Sequence, residues 1–373
     1  MSGRPADDAA PFTVQRLGVV MEPQPGAAEE AWGVLNPAAA RGPDEALYLF
    51  PRLVAERNYS RIGLARVRFD ARGIPTGVER LGIVLEPQEP YELNPLTGGG
   101  VEDARITLVQ PLHRYVMAYT ALGPHGPRVA LATSTDLWHW DRLGLVRFAP
   151  EAGLDLNAYP NKDASFFPES VVDPHGRPAL ALLHRPTVPP LPAPDALDTP
   201  RQSAVSDPRE SIWISYVALE PVHAALPALL QMRDHNVLAT PQQPWEALKI
   251  GAGPPPLRTP LGWLVLYHGV CAFSTAGVTV PLQRRYSMGV IVLDGDNVRT
   301  TRYRSPRPIL APEQEGERIG IVPNVVFPTG VDTPSAGVID VYYGMADARI
   351  GVARLTLPTT LPGASGAKSV SWR

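Results

Sequence analysis

The chain has 373 residues, 44% of them hydrophobic, with 34 Lys+Arg against 37 Asp+Glu and a formal net charge of −3. That balance supplies no basic face for nucleic acid, and no apolar run reaches membrane length, so neither partner is expected. A single cysteine, Cys271, excludes an intrachain disulfide and a cysteine-based zinc site. The opening "MSGRPADDAAPF" lacks the charged and apolar regions of a signal peptide, so a cytoplasmic location is expected.

Residues 1–30 carry no clear core pattern and read as an N-terminal arm, with a catalytic domain over 31–373. From there on, short runs rich in Val, Ile, Leu, Tyr and Trp alternate with Gly, Pro and Asp, the signature of strands. Helical periodicity surfaces only around Val222–Met232, "VHAALPALLQM". The strands recur as triplets. An opening segment comes first: "NPAAA" (36–40), "EDARIT" (102–107), "NKDASFFPE" (161–169), "GAGPPPLRT" (251–259) and "VPNVVFPTG" (322–330). A middle strand follows: "ALYLFPRL" (46–53), "YVMAYTAL" (115–122), "PALALLHRP" (178–186), "GWLVLYHGV" (262–270) and "VIDVYYGMAD" (338–347). Third come "SRIGLARVRFD", "PRVALATSTDLWHW", "ESIWISYVAL", "RRYSMGVIVLD" and "ARIGVARLTL".

Asn36, Asp103, Asp163, Ala252 and Asn324 mark the repeat at intervals of 67, 60, 89 and 72 residues. Five such units predict an all-β chain folded as a five-bladed β-propeller. The longest interval contains a Pro-rich insertion over 187–210, expected to be an exposed loop. First strands of propeller blades line the axis, so their polar residues converge on one pocket. Those residues are Asn36, Glu102, Asp103, Arg105, Lys162, Asp163 and Asn324. Strand alternation puts Asp103 and Arg105 on one face and Glu102 on the other.

The eight histidines lack paired ligand spacing, so no metal is expected. No Gly-x-Ser-x-Gly elbow and no phosphate-cradling glycine loop is present. Acids, amides and bases among aromatic residues suit carbohydrate hydroxyls and ring faces. Glycoside hydrolysis normally takes two carboxylates. Phosphorolysis needs one acid, because phosphate attacks, together with cations to hold that phosphate. Lys162, Arg185, Lys249 and His268 lie at the ends of inner strands in the third and fourth units and favour an anion site.

The segments "EDARIT", "PRVALATSTDL", "NKDASFFPE", "LLHRP", "IWISY", "KIGAGPPPLRT", "GWLVLYHGV", "VPNVVFP" and "YYGMADARIGVA", in this order, resemble glycoside hydrolase family 130, the β-mannoside phosphorylases. The resemblance implies a five-bladed propeller and inverting phosphorolysis of β-mannosides to α-mannose 1-phosphate and a shortened sugar. It implies that Asp103 is the general acid and delivers its proton through a hydroxyl of the bound mannoside. By the same resemblance Lys162, Arg185 and His268 hold phosphate with Lys249, and Asn36, Arg52, Arg105 and Asp347 shape the mannose subsite. Asp163, beside Lys162 in an opening segment, is placed with the substrate-binding residues. The expected partners are a small carbohydrate and inorganic phosphate, the latter a co-substrate and not a cofactor; assembly into a homo-oligomer stays open. Ala104 departs from the family's usual proline after the acid pair, which changes backbone restriction but removes no functional group. A hydrolase of the same family and a non-catalytic glycan-binding propeller are the alternative readings.

Overall fold

A computed structural model of the chain describes residues 11–94, 98–188, 207–273, 283–362 and 370–371. The expected insertion over 187–210 lies mostly outside these residues. The fold is all-β, and among the described residues its strands group into five antiparallel meanders. The first runs through Gly33–Arg41, Leu47–Val54, Ser60–Phe69 and Pro75–Leu85. The second runs through Gly100–Val109, Arg114–Gly123, Gly126–Ser134 and Asp141–Leu145, and one parallel Ser60–Gly100 pairing joins it to the first. Asn161–Phe166, Pro178–Pro186, Ile212–Ala218 and Gln231–Ala239 form the third. Lys249–Ala252, Gly262–Phe273, Gln283–Leu293 and Thr301–Arg304 form the fourth.

The fifth meander consists of Val326–Ser335, Val338–Met345 and Arg349–Thr356, and its outermost strand is Thr13–Met21 from the other end of the chain. Much of the expected N-terminal arm is therefore sheet. The half-exposed pattern of Thr13–Met21 hid it, because an outer strand buries little. The helix expected over Val222–Met232 is reduced to an α-helix at Leu219–Ala224 and a 3-10 turn at Leu226–Leu230. Pro227 lacks an N–H to continue the first, and a strand takes over at Gln231. Among the described residues no helix is long and apolar enough to cross a membrane.

Each meander shares an apolar cluster with the next. Phe50 and Leu64 of the first pack with Met117 and Ala130 of the second. Val116 and Leu131 meet Leu180 and Leu182 of the third, and Ala181 and Ile214 meet Val265 and Ile291 of the fourth. Leu264 and Val290 meet Val341 and Leu355 of the fifth, and Tyr342 and Val352 return to Leu47 and Leu49 of the first. The opening strands touch one another: Gly33–Arg41 contacts both Gly100–Val109 and Val326–Ser335, and Asn161–Phe166 contacts Gly100–Val109 and Lys249–Ala252.

A second repeat is polar. Glu92, Glu246 and Glu317 are fully buried, and each binds a middle-strand tyrosine and an arginine of the meander's outer strand. The sets are Glu92 with Tyr119 and Arg142, Glu246 with Tyr267 and Arg304, and Glu317 with Tyr343 and Arg16. Glu30 with Arg80 is the same device without the tyrosine. Each carboxylate also caps backbone N–H groups, as at Gln88, Gln242 and Glu313. A buried carboxylate is tolerated because its oxygens are all bonded.

Candidate active site

Three opening strands share one irregularity. Pairing skips between Leu35 and Ala38, between Glu102 and Arg105, and between Lys162 and Ser165. At the skipped positions Asn36, Asp103 and Asp163 take φ of 45°, 49° and 54°. These are β-bulges, which re-aim a side chain. Asn and Asp tolerate the left-handed backbone better than other residues with a Cβ. The residue type at these three marker positions is thus explained by the backbone it must adopt.

The bulges converge. Asn36 Nδ2 donates to Asp103 Oδ1 over 2.9 Å. Arg52, from the neighbouring middle strand, places Nη1 at 3.4 Å from Asp103 Oδ1 and Nη2 at 2.5 Å from Glu102 Oε1. Its remaining donors go to Ser60 Oγ and Asn58 Oδ1, both at 2.9 Å. Glu102 and Asp103 are 6% and 8% exposed, so this is a nearly dry cluster. Burial pushes the Glu102 carboxyl up, against the pull of Arg52. Asp347, in the turn after Val338–Met345, belongs to the same field: burial raises it to about 6, opposed by Arg52 and reinforced by Asp103.

The alternation expected along residues 102–105 does not hold, because the bulge interrupts it. Glu102 and Asp103 both meet Arg52. The Arg105 side chain goes elsewhere: Nε donates to Gly253 O over 2.8 Å and Nη1 to the backbone oxygen of Asp103 over 2.9 Å. Arg105 is fully buried, lies 5.6 Å from the Phe327 ring centre, and leaves Nη2 without a hydrogen-bond partner.

Beyond Arg105 stands a second cluster. Arg185 Nε donates to Asp163 Oδ2 over 2.6 Å, and Lys162 is paired directly across the sheet with Arg185. The arginine holds the Asp163 carboxyl well below the usual carboxylate range, overcoming its burial. His268 Nε2 lies 3.6 Å from Asp163 Oδ2, and neither ring nitrogen has a hydrogen-bond partner. Burial drives His268 far below an ordinary imidazole. It is therefore neutral here, able to offer an N–H but not the positive charge expected of it. Lys249, beside Tyr286 and 3.9 Å from Glu210, is lowered to about 7 by burial first and then by Arg185 and Lys162. Gly251 runs beneath, where any Cβ would collide with Asp163 and His268.

Two expected residues sit differently. Asn324 keeps a left-handed φ of 62° but bonds Gln283, on the Tyr286 side of the site. Asp347 makes no side-chain hydrogen bond among the described residues and joins the acid cluster through its field. Sequence reasoning missed Glu210, which pairs with Arg185 and opens the segment "ESIWISYV". It also left Glu102 without a role and passed over Asn58 and Ser60, which complete the Arg52 shell.

Arg105 thus ties the Asp103 backbone to Gly253, just past the Lys249–Ala252 strand. The chain matches the model of the β-1,4-mannooligosaccharide phosphorylases, glycoside hydrolase family 130, over residues 12–361. It belongs to that family. Among curated relatives, a 1,2-β-oligomannan phosphorylase of Thermoanaerobacter sp. (strain X514) is 32% identical over 262 residues, 69% of each chain. A β-1,4-mannooligosaccharide phosphorylase of Ruminococcus albus is 38% identical over 126 residues, 33% of this chain and 35% of its own. A solved structure of Listeria innocua β-1,2-mannobiose phosphorylase, in complex with β-1,2-mannobiose, superposes with a TM-score of 0.66 at 23% identity, covering 92% of this chain and 97% of that one. At that identity the likeness speaks for the family 130 fold alone.

Proposed function

We propose that this family 130 chain is an inverting β-mannoside phosphorylase, built as a five-bladed propeller whose axis carries the site. Five successive meanders, an apolar cluster between each and the next, and a last cluster returning to the first support the propeller. The observation that carries the reaction is the pairing of Asp103, held by Asn36 and Arg52, with a neighbouring cation cluster of Lys162, Arg185 and Lys249. One group of residues handles a proton and the other handles an anion.

In this reading, Asn36 and Arg52 fix the Asp103 carboxyl, and the mannoside binds over the Asp347 side. A phosphate oxygen attacks the anomeric carbon as the glycosidic carbon–oxygen bond breaks, giving inversion. The leaving oxygen takes a proton from a hydroxyl of the mannoside, which takes the Asp103 proton in turn. Asp103 recovers its proton from solvent. Lys162, Arg185 and Lys249 orient and neutralise the phosphate, while neutral His268 supplies a donor that repels no cation. The reading needs no cofactor; phosphate enters as a co-substrate.

Release of α-mannose 1-phosphate from β-1,2- or β-1,4-linked manno-oligosaccharides, only when inorganic phosphate is supplied, is the expected result. Equal release of free mannose without phosphate would overturn it. The specific observation favouring hydrolysis instead is Glu210, a carboxylate among the cations that could activate a water.

A further inference from the structure

Glu210 stands inside the cation cluster without a part in the phosphorolysis proposed above. Its backbone is fixed: it pairs with Lys249 in a parallel bridge, and its carbonyl accepts from Ile250 N over 3.0 Å. Its side chain is not fixed in the same way. About a quarter of it (26%) faces solvent, while one oxygen meets Arg185 Nη1 and the other lies 3.9 Å from Lys249 Nζ.

Arg185 is thus held by two carboxylates of opposite character. Asp163 grips Nε over 2.6 Å and is itself 1% exposed, so it has nowhere to go. Glu210, by contrast, keeps about a quarter of its side chain in contact with solvent. The donors it occupies are those that a tetrahedral oxyanion would use, an arginine edge and a lysine ammonium. A carboxylate and a phosphate dianion cannot share them, because like charges brought together repel.

The crowded cations have a need that this carboxylate meets. Arg185 and Lys249 are close enough to repel, and their mutual field with burial already brings Lys249 down to about 7. An anion from the chain itself neutralises them while no phosphate is bound. We propose that Glu210 is a displaceable internal anion, seated on Arg185 and Lys249 and expelled when inorganic phosphate binds there. It sets how tightly phosphate is held. The proposal rests on the phosphorolytic reading of the site.

Calorimetric titration of the full chain with inorganic phosphate tests it, comparing the native protein with Glu210→Gln and Glu210→Ala, alongside KM for phosphate. Both variants should bind phosphate more tightly, on the order of tenfold, with KM for phosphate falling in step. Unchanged or weaker phosphate binding in both variants overturns the displacement and leaves the phosphate site standing. Phosphate binding by none of the three proteins, with free mannose released in its absence, overturns the phosphorolytic reading and this proposal with it. Should neither variant fold, native crystals soaked in phosphate decide: the Arg185–Glu210 pair opens if the proposal holds. Phosphate bound with that pair intact overturns it.

Discussion

Asn36 and Asp103 lie 67 residues apart, yet both sit at the bulge of an opening strand with left-handed backbones, and a 2.9 Å hydrogen bond joins their side chains. The same local distortion in successive meanders thus aims two polar groups at one point. Arg52 reaches that point from a third direction and also holds Glu102. The carboxyl proposed to carry the proton is therefore fixed on several sides by groups that do not themselves react.

Asp103→Asn keeps the shape, and its amide oxygen can still accept from Asn36 and Arg52. Phosphorolysis is expected to fall by about 10³-fold, the scale of losing a general acid. The thermal midpoint should stay close to that of the native protein, since Glu102 still neutralises Arg52. Initial rates of α-mannose 1-phosphate formation beside a thermal melt check both halves. Substantial remaining turnover would remove Asp103 from the role.

Gly251→Ala tests the floor of the cation cluster. An added Cβ would collide with the Asp163 carboxylate and the His268 ring, both buried. Asp163 would have to move, and with it the grip on Arg185 Nε. The expected loss is at least about 10²-fold in kcat/KM for phosphate, since small misplacements of a positioning group cost that much. The mannoside KM should change far less, because the atoms nearest the added Cβ belong to Asp163 and His268 and not to Asn36, Asp103 or Arg52. Equal losses for both substrates would contradict the separation into two clusters.

The repeat was legible because buried middle strands are continuous apolar runs and turn residues punctuate them. Three of its five marker positions, Asn36, Asp103 and Asp163, proved to be bulges, where backbone demand selects Asn or Asp, while Ala252 sits in regular pairing. The bulges themselves were not legible: alternation assumes an unbroken strand, and nothing in "EDARIT" announces a skipped pairing. That is why Glu102 and Arg105 were assigned to the wrong faces. Thr13–Met21 escaped notice for another reason, since an outer strand paired on one edge carries a weak apolar signal. Glu210 gave no sign because its meaning comes from Lys249, brought beside it by the fold.

Arg16→Ala should loosen the closing sheet. Arg16 Nε donates to Glu317 Oε1 over 2.8 Å and Nη2 to Oε2 over 3.0 Å, and Glu317 has no exposure. Removing the arginine leaves a buried carboxylate without its countercharge, at a cost of about 3–5 kcal/mol. Denaturant unfolding should show that loss. Glu317→Gln in the same background should recover part of it, because the remaining group is then neutral. A loss below about 1 kcal/mol would mean that Thr13–Met21 is held by backbone pairing alone.

The last prediction concerns pH. Asp347 is raised from 3.8 to about 6, by burial first, with Asp103 and Glu102 adding to the rise and Arg52 and Lys162 opposing it. Between about pH 4 and pH 6 the folded chain therefore keeps a proton that the unfolded chain has released. The folded state binds more protons there, so this carboxyl makes stability fall as pH rises through the window. Asp347→Asn removes the titration. The native protein's stability relative to the variant should accordingly decline from about pH 4 to pH 6 and level off above. The decline should be on the order of 1–2 kcal/mol, reduced from the full linkage value because the carboxyl keeps some contact with solvent. Unfolding free energies of both proteins at half-unit pH intervals measure it. A difference that stays flat across the window would mean that Asp347 is ionised throughout and that the acid cluster is wetter than its burial indicates.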